Sequence, residues 1–374
     1  MKQVKISQVD VLFSNGLYPL EFLFYYRQGF DTERIREAIR KLSSVFWPLF
    51  GEYKDGLISF DKYIEEDCYD EEAVNQEFNI QKNIENGVED YSRFALPDLR
   101  KLFFLKVIRL KNGLALIPKM NHLAGDGYSY FYFLSLLATL SRPTIIPFKS
   151  SLIRLVSKPH HRRTRLRDFS FQGIGLKPAL QSEKYALENN EIPRKAVQSI
   201  IQEAASSDNL RISTNDILAA MAMKKLAAGQ SDFLGEDAHL TIPIDVRRQV
   251  KEYGRRFFGN GIMLHTINFK REAIEDLTIR ELAINIRNSM PFVSKETYIK
   301  YLTVLEKFIA AGKTDELRPF DPSRGVLVTN LSRLPAEKLN FGTGFPELIV
   351  PLTVEKNSTA ILAKKDNFVL RYAY

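Results

Sequence analysis

The chain has 374 residues, 45% hydrophobic and 26% charged, the balance of a globular protein long enough to bury one large core or two. Its formal net charge of +8 is a mild bias toward anionic ligands and names none of them. The single cysteine, Cys68, excludes an intrachain disulfide and a cysteine-built metal cluster. The N-terminal MKQVKISQVDVLF lacks the apolar core of a signal peptide, and the longest apolar run, residues 128–140, is shorter than the ~20 residues that span a bilayer. These features read as a cytoplasmic protein without a membrane span.

In chain order, Ile35, Ala38, Ile39, Leu42 and Phe46 fall on one face of a helix over 31–46, which Asp31 or Thr32 can cap. Pro48 and Gly51 follow it, and GLISF reads as a short strand. Residues 65–72, EEDCYDEE, carry six acidic side chains and read as solvated. KLFFLKVIRL and LALIPKMNH, joined at Lys111-Asn112-Gly113, predict two strands about a short turn. The stretch 128–140 predicts a mostly buried helix. A basic, turn-rich segment then separates an N-terminal lobe, 1–155, from a C-terminal lobe, 183–374, through a crossover at 156–182. In the second half, Ser213 or Thr214 can cap a helix over NDILAAMAMKKLAAG. HLTIPIDVR and GNGIMLHTINF predict strands, Thr278 and Glu281 a capping box, and RGVLVTNLS and NFVLRYAY late strands.

Common catalytic signatures are missing: no G-x-S-x-G elbow, P-loop, H-E-x-x-H or strand-G-x-G-x-x-G-helix unit occurs. The strongest local feature is NHLAGDGYS, residues 121–129. His122 ends a predicted strand, and Asp126 stands between Gly125 and Gly127 just before a helix. An imidazole at a strand mouth has a free pKa of ~6.5, suited to a general base; equally, such a histidine can be a hydrogen-bonded turn residue. Asp126 can orient it or anchor the turn to a distant arginine. Gly259-Asn260-Gly261 reads as a turn. His160-His161 lacks further ligands at metal-binding spacing, so no metal site is read. No basic–aromatic groove pattern suggests nucleic acid.

HLAGDG resembles the HxxxDG motif of acyltransferases with the chloramphenicol-acetyltransferase-like fold, and within them the BAHD acyltransferases. RKLSSVFWPLFGEY, STNDILAAM, PIDVRRQV with FFGNGIM, and VTNLSRLPAEKLNFGTGFP resemble further family strings in the same order, spanning 36–346. The resemblance departs at Asn340 and Thr343, where the family's D-F-G-W-G has Asp and Trp.

The resemblance implies an α/β fold of two similar mixed-sheet lobes with a channel between them. It implies an acyltransferase that takes its acyl group from acyl-CoA, as co-substrate, to a small-molecule hydroxyl or amine, with no resident cofactor. His122 would be the general base. Asp126, with Gly127, would be structural and pair with Arg247. Asn260, Thr343 and Ser332 are candidates for binding the oxyanion or substrate. Gly259, Gly261, Arg162 and Arg163 are candidates for binding CoA. Two alternatives are a condensation-like enzyme using a carrier-protein thioester, and a non-catalytic binding protein on the same fold.

Overall fold

The computed structural model describes residues 1–13, 19–81, 100–143, 186–208, 211–228, 237–313, 320–352 and 355–374. The predicted crossover, with Arg162 and Arg163, lies outside the described residues. The first half contains β1 (Lys2–Lys5), α1 (Gln8–Phe13), β2 (Leu20–Tyr26), α2 (Thr32–Ser43), β3 (Glu52–Lys54), β4 (Leu57–Phe60), β5 (Tyr69–Ala73), β6 (Phe103–Leu110), β7 (Gly113–Met120) and α3 (Gly127–Ser141). The second half contains β8 (Leu187–Pro193), α4 (Arg194–Asp208), α5 (Thr214–Ala228), β9 (Asp237–Asp245), β10 (Ile262–Lys270), α6 (Arg271–Asp276), α7 (Ile279–Ser289), α8 (Lys295–Ala310), β11 (Gly325–Asn330), β12 (Leu348–Pro351), β13 (Ser358–Ala363) and β14 (Asn367–Ala373).

Two mixed sheets organise these elements into two lobes. One has five strands in the order β12-β2-β7-β6-β5, the other six in the order β10-β9-β11-β13-β14-β8. In the first lobe α2 starts at Asp31, whose side chain accepts from the Glu33 N–H, the bond an N-cap provides. The predicted face, Ile35, Ala38, Ile39, Leu42 and Phe46, is buried with Phe22 and Phe24 of β2 and Phe131 and Leu134 of α3. In the second lobe α5 and α7 bury Ile217, Leu218, Met223, Leu282 and Ile286 against Val326, Val328, Ile361 and Leu370 of the sheet. The Thr278–Glu281 capping box forms as predicted.

Two expectations need correction. β12 pairs antiparallel with β2, Leu348 opposite Tyr25 and Pro351 opposite Phe22, so the second half of the chain returns a strand to the first sheet. A single cut before residue 183 therefore does not follow the sheets. The acidic run is also not wholly solvated: Tyr69–Ala73 pairs in parallel with β6, and Cys68 and Tyr69 are buried. This edge strand shows no apolar alternation because carboxylates stand on both of its faces, Asp70 and Glu72 meeting Lys106 and Glu71 meeting Arg109.

The N-terminal helix ties the lobes together. Val9 of α1 packs with Tyr298 and Leu302 of α8 and with Tyr253 and Phe257. This places the short α1 beside the turn at 259–261 rather than in the core of its own lobe.

Candidate functional site

Strand β7 runs antiparallel to β6 up to the pair Phe103–Met120, and the chain then turns. Asn121 fixes the turn: its N–H donates to the Leu102 carbonyl, its Oδ1 accepts from the Leu123 N–H at 2.9 Å, and its carbonyl accepts from the Ala124 N–H. His122 is thereby held at the strand mouth. Asp126 then caps α3, its Oδ1 accepting from the Ser129 N–H at 3.1 Å.

The imidazole is oriented from two sides. Asn260 donates from Nδ2 to the His122 carbonyl at 2.8 Å and to Asp10 Oδ1 at 3.3 Å. That leaves Asn260 Oδ1 as the acceptor facing His122 Nδ1 at 2.9 Å. The network assigns the proton to Nδ1 and leaves the lone pair on Nε2, the tautomer a base requires. The Phe13 ring stacks on the imidazole at a centroid distance of 5.5 Å. Burial lowers the histidine's pKa below its usual 6.5, and the negative charges of Asp126 and Asp10 and the bond to Asn260 only partly offset this.

Asp126 makes no hydrogen bond to His122. Its two oxygens accept a bidentate pair from Arg247, both at 2.8 Å, and Oδ2 also accepts the Gly261 N–H at 2.9 Å. Arg247 further donates to Asp245, Ser129 Oγ and the Gly259 carbonyl, and Tyr128 lies over its guanidinium at 4.5 Å. Both members are buried. The guanidinium charge and its hydrogen bonds hold the Asp126 carboxyl below the ordinary carboxylate range even though burial opposes this. An ion pair so completely hydrogen-bonded can be held in a low-dielectric site.

His122 opens onto a cleft of about 1430 Å³ to which both lobes contribute. Leu20, Glu21 and Phe22 of β2, Asp126, Gly127 and Tyr128 line it from the first lobe. Pro243 and Ile244 of β9, Leu264 of β10, Thr329 of β11, Ala360 of β13 and Arg371 of β14 line it from the second. The cleft thus carries one imidazole, apolar wall residues and many polar and charged ones, among them Asp216, Arg287, Arg333, Glu355 and Arg371, a lining that can hold a small molecule with polar groups. Among the described residues, no three His, Cys, Asp or Glu side chains gather as a metal site would require, and no helix is long and apolar enough to cross a membrane.

The structure brings His122, Asp126, Gly127, Arg247 and Asn260 together, while Arg162 and Arg163 lie outside the described residues and the remaining candidates stand apart from the cleft lining. Asn260 has its amide directed to His122 and Asp10, so it positions the histidine instead of meeting an oxyanion. Thr343 is exposed and donates to the Gln28 carbonyl at 3.2 Å, outside the cleft lining. Ser332 follows Leu331, which lines the cleft, but its own N–H is turned to Asn330 Oδ1 and it does not join the lining. Gly259 and Gly261 also lie off the cleft. A Cβ on Gly261 would sit 2.8 Å from Arg247 Nη1, so this glycine makes room for the guanidinium; Gly259, with a φ of +151°, would bring a Cβ to 3.0 Å from the Phe257 ring and presents its carbonyl to Arg247. Asn340 accepts from the N–H groups of Gly342 and Gly344 and closes a local turn where an acid would have carried a charge. The departures from the family string therefore sit away from the histidine.

Asp10 and Phe13, which contact Asn260 and His122, carry no motif in the sequence that marks them as part of the site. One local signal for Asp10 exists: Ser7 and Asp10 are three apart and bonded side chain to side chain at 2.9 Å, a variant of the capping pattern.

The Transferase family model matches residues 66–367. No curated protein sequence matches the chain. Among solved structures, TRI101 of F. graminearum, crystallised with coenzyme A and deoxynivalenol, has a TM-score of 0.77 at 13% identity, covering 100% of this chain and 95% of that one. Vinorine synthase has a TM-score of 0.73 at 17% identity, covering 100% and 90%. The first condensation domain of the calcium-dependent antibiotic synthetase has a TM-score of 0.60 at 10% identity, covering 100% and 90%.

Proposed function

The chain belongs to the Transferase family, the BAHD acyltransferases, and from that premise we propose that it moves an acyl group from acyl-CoA to the hydroxyl or amine of a small molecule, with His122 as general base. The observation that carries the reading is the tautomer: Nδ1 is held on Asn260 Oδ1, so the lone pair of a cleft-lining histidine is on Nε2.

The chemistry then asks little of the protein. Nε2 accepts the proton of the acceptor as its oxygen or nitrogen attacks the thioester carbonyl. When the tetrahedral intermediate collapses and the C–S bond breaks, the imidazolium gives that proton to the leaving CoA thiolate. No acyl-enzyme forms, and Cys68 takes no part: it is buried, and burial pushes its thiol up to about 12. Holding the two substrates in line supplies a large share of the rate. Asp126 serves through Arg247, fixing the turn between β7 and α3 so that His122 keeps its place.

The test is turnover: acetyl-CoA and longer acyl-CoAs offered with alcohol and amine acceptors, read by release of free thiol. Acceptor-dependent release by the wild type, lowered about a hundredfold or more in His122→Ala, is the expected result. Release that survives the substitution at the wild-type rate would overturn the assignment of the base.

A further inference from the structure

Two arginines are buried among the described residues, Arg247 and Arg371. Arg247 has a bidentate carboxylate and every side-chain nitrogen engaged. Arg371, only 4% exposed, has no acidic partner among the described residues. Its hydrogen bond runs from Nη1 to Asn189 Oδ1 at 3.3 Å, and its Nε, shut off from water, has none. Burial alone lowers its pKa to about 10, which leaves the side chain charged at neutral pH.

Its position is as informative as its isolation. On β14, Arg371 stands opposite Ala360 of β13 and Asn189 of β8, and Ala360 is paired with Thr329 of β11. Arg371, Ala360 and Thr329 all line the cleft that His122 opens onto, whereas Leu370 and Tyr372, the neighbours of Arg371 on the other face, are in the hydrophobic core. The row therefore lies on the cleft side of the sheet, with the guanidinium flanked across the strands by the Ala360 methyl on one side and the neutral Asn189 amide on the other. A buried, uncompensated charge is unfavourable in the empty protein; a bound anion relieves it.

We propose that Arg371 forms a subsite for a carboxylate carried by one of the two substrates, either the acyl group or the acceptor. This rests on the acyltransferase reading and adds to it the charge of the substrate. A planar guanidinium matches a carboxylate through two parallel N–H···O bonds. The charge balance favours a carboxylate over the phosphates of CoA: one guanidinium neutralises one carboxylate, while a multiply charged phosphate group buried beside it would retain excess negative charge.

The test compares wild type, Arg371→Met and Arg371→Lys by calorimetry on the full chain, with two pairs of probes. The acyl pair is succinyl-CoA and acetyl-CoA; the acceptor pair is 4-hydroxybenzoate and 4-hydroxybenzyl alcohol. Wild type is expected to prefer the charged member of one pair by about tenfold or more, and that pair identifies which substrate carries the carboxylate. Arg371→Met should abolish the preference and leave the neutral member unchanged, and Arg371→Lys should keep part of it. Ligand-free Arg371→Met should melt no lower than wild type, since it loses an uncompensated charge. The proposal falls if wild type shows no preference in either pair or if the preference survives Arg371→Met. It falls likewise if Arg371→Met weakens both CoA thioesters equally, or if both variants melt well below wild type. Failure of wild type to bind any CoA thioester would instead overturn the acyltransferase reading, and the hydroxybenzoate pair would still test Arg371.

Discussion

Asn260 grips His122 at both ends, donating to its backbone carbonyl at 2.8 Å and accepting from its Nδ1 at 2.9 Å, although 138 positions separate the two residues. The same amide reaches Asp10 Oδ1 at 3.3 Å across 250 positions. The orientation of the histidine thus depends on contacts between segments from both halves of the chain and from its N-terminus.

Removal of the imidazole is the first expected loss. His122→Ala should fold and lower kcat by roughly 10²–10⁴-fold, the usual contribution of a positioned general base. Steady-state thiol release with matched circular dichroism checks it, and a near-normal kcat in a folded variant would contradict the mechanism.

Asn260→Asp tests the orientation separately from the base. A carboxylate against Nδ1 stabilises the imidazolium, so the acidic limb of kcat/KM should move to higher pH than in wild type. In wild type, burial lowers the His122 pKa, so the neutral base persists below pH 6.5 and the limb should lie below that value. Asn260→Ala should lower kcat by roughly ten- to a hundredfold through misplacement of the ring. Superimposable pH profiles for wild type and Asn260→Asp would separate Asn260 from the titrating group.

The local elements were legible because local chemistry determines them. Asp31 caps α2, Thr278 and Glu281 box α7, and Lys111-Asn112 turns β6 into β7, each within a few residues. His122 and Asp126 were legible as a string, and Arg247 as the partner of Asp126 only through the family resemblance. Asp10, Phe13 and the true work of Asn260 were not, because pairing across the lobes leaves no periodic trace in the chain. The return of β12 to the first sheet was hidden for the same reason. Thr343 misled because its place in a family string says nothing about which way a glycine-flanked loop faces.

Asp126 and Arg247 should behave as one unit in stability. Either Asp126→Ala or Arg247→Ala leaves a buried charge without its partner, a loss of about 3–5 kcal/mol. The double variant should lose much less than the sum. Denaturant titration of the four proteins checks this; additive losses would contradict the pairing. The pair also sets an acid limit. The depressed pKa of Asp126 gives stability that is present above the unfolded carboxylate range and lost as pH falls through the folded value.

Thr343→Trp should leave kcat and KM alike for small and bulky acceptors, because Thr343 is exposed and bonded to the Gln28 carbonyl outside the cleft. Selective loss with bulky acceptors would mean that the loop reaches the substrate.

Glu21 sets an opposite pH dependence. It lines the cleft from β2, and burial raises its pKa from 4.5 to about 7 although Lys119 lies 3.2 Å away. One of its oxygens, Oε1, is buried without a hydrogen bond, which explains why desolvation outweighs the attraction of the lysine. Between pH 4.5 and about 7 the folded protein binds more of this proton than the unfolded chain does. The Glu21 contribution to stability is therefore fully present below the unfolded value and lost as pH rises through the folded one, by roughly 3 kcal/mol at most. Glu21→Gln should flatten the fall in stability over that window, measured by denaturant unfolding at half-unit steps of pH. An unchanged slope in the variant would show that Glu21 remains ionised in the folded protein, with Lys119 dominating its surroundings.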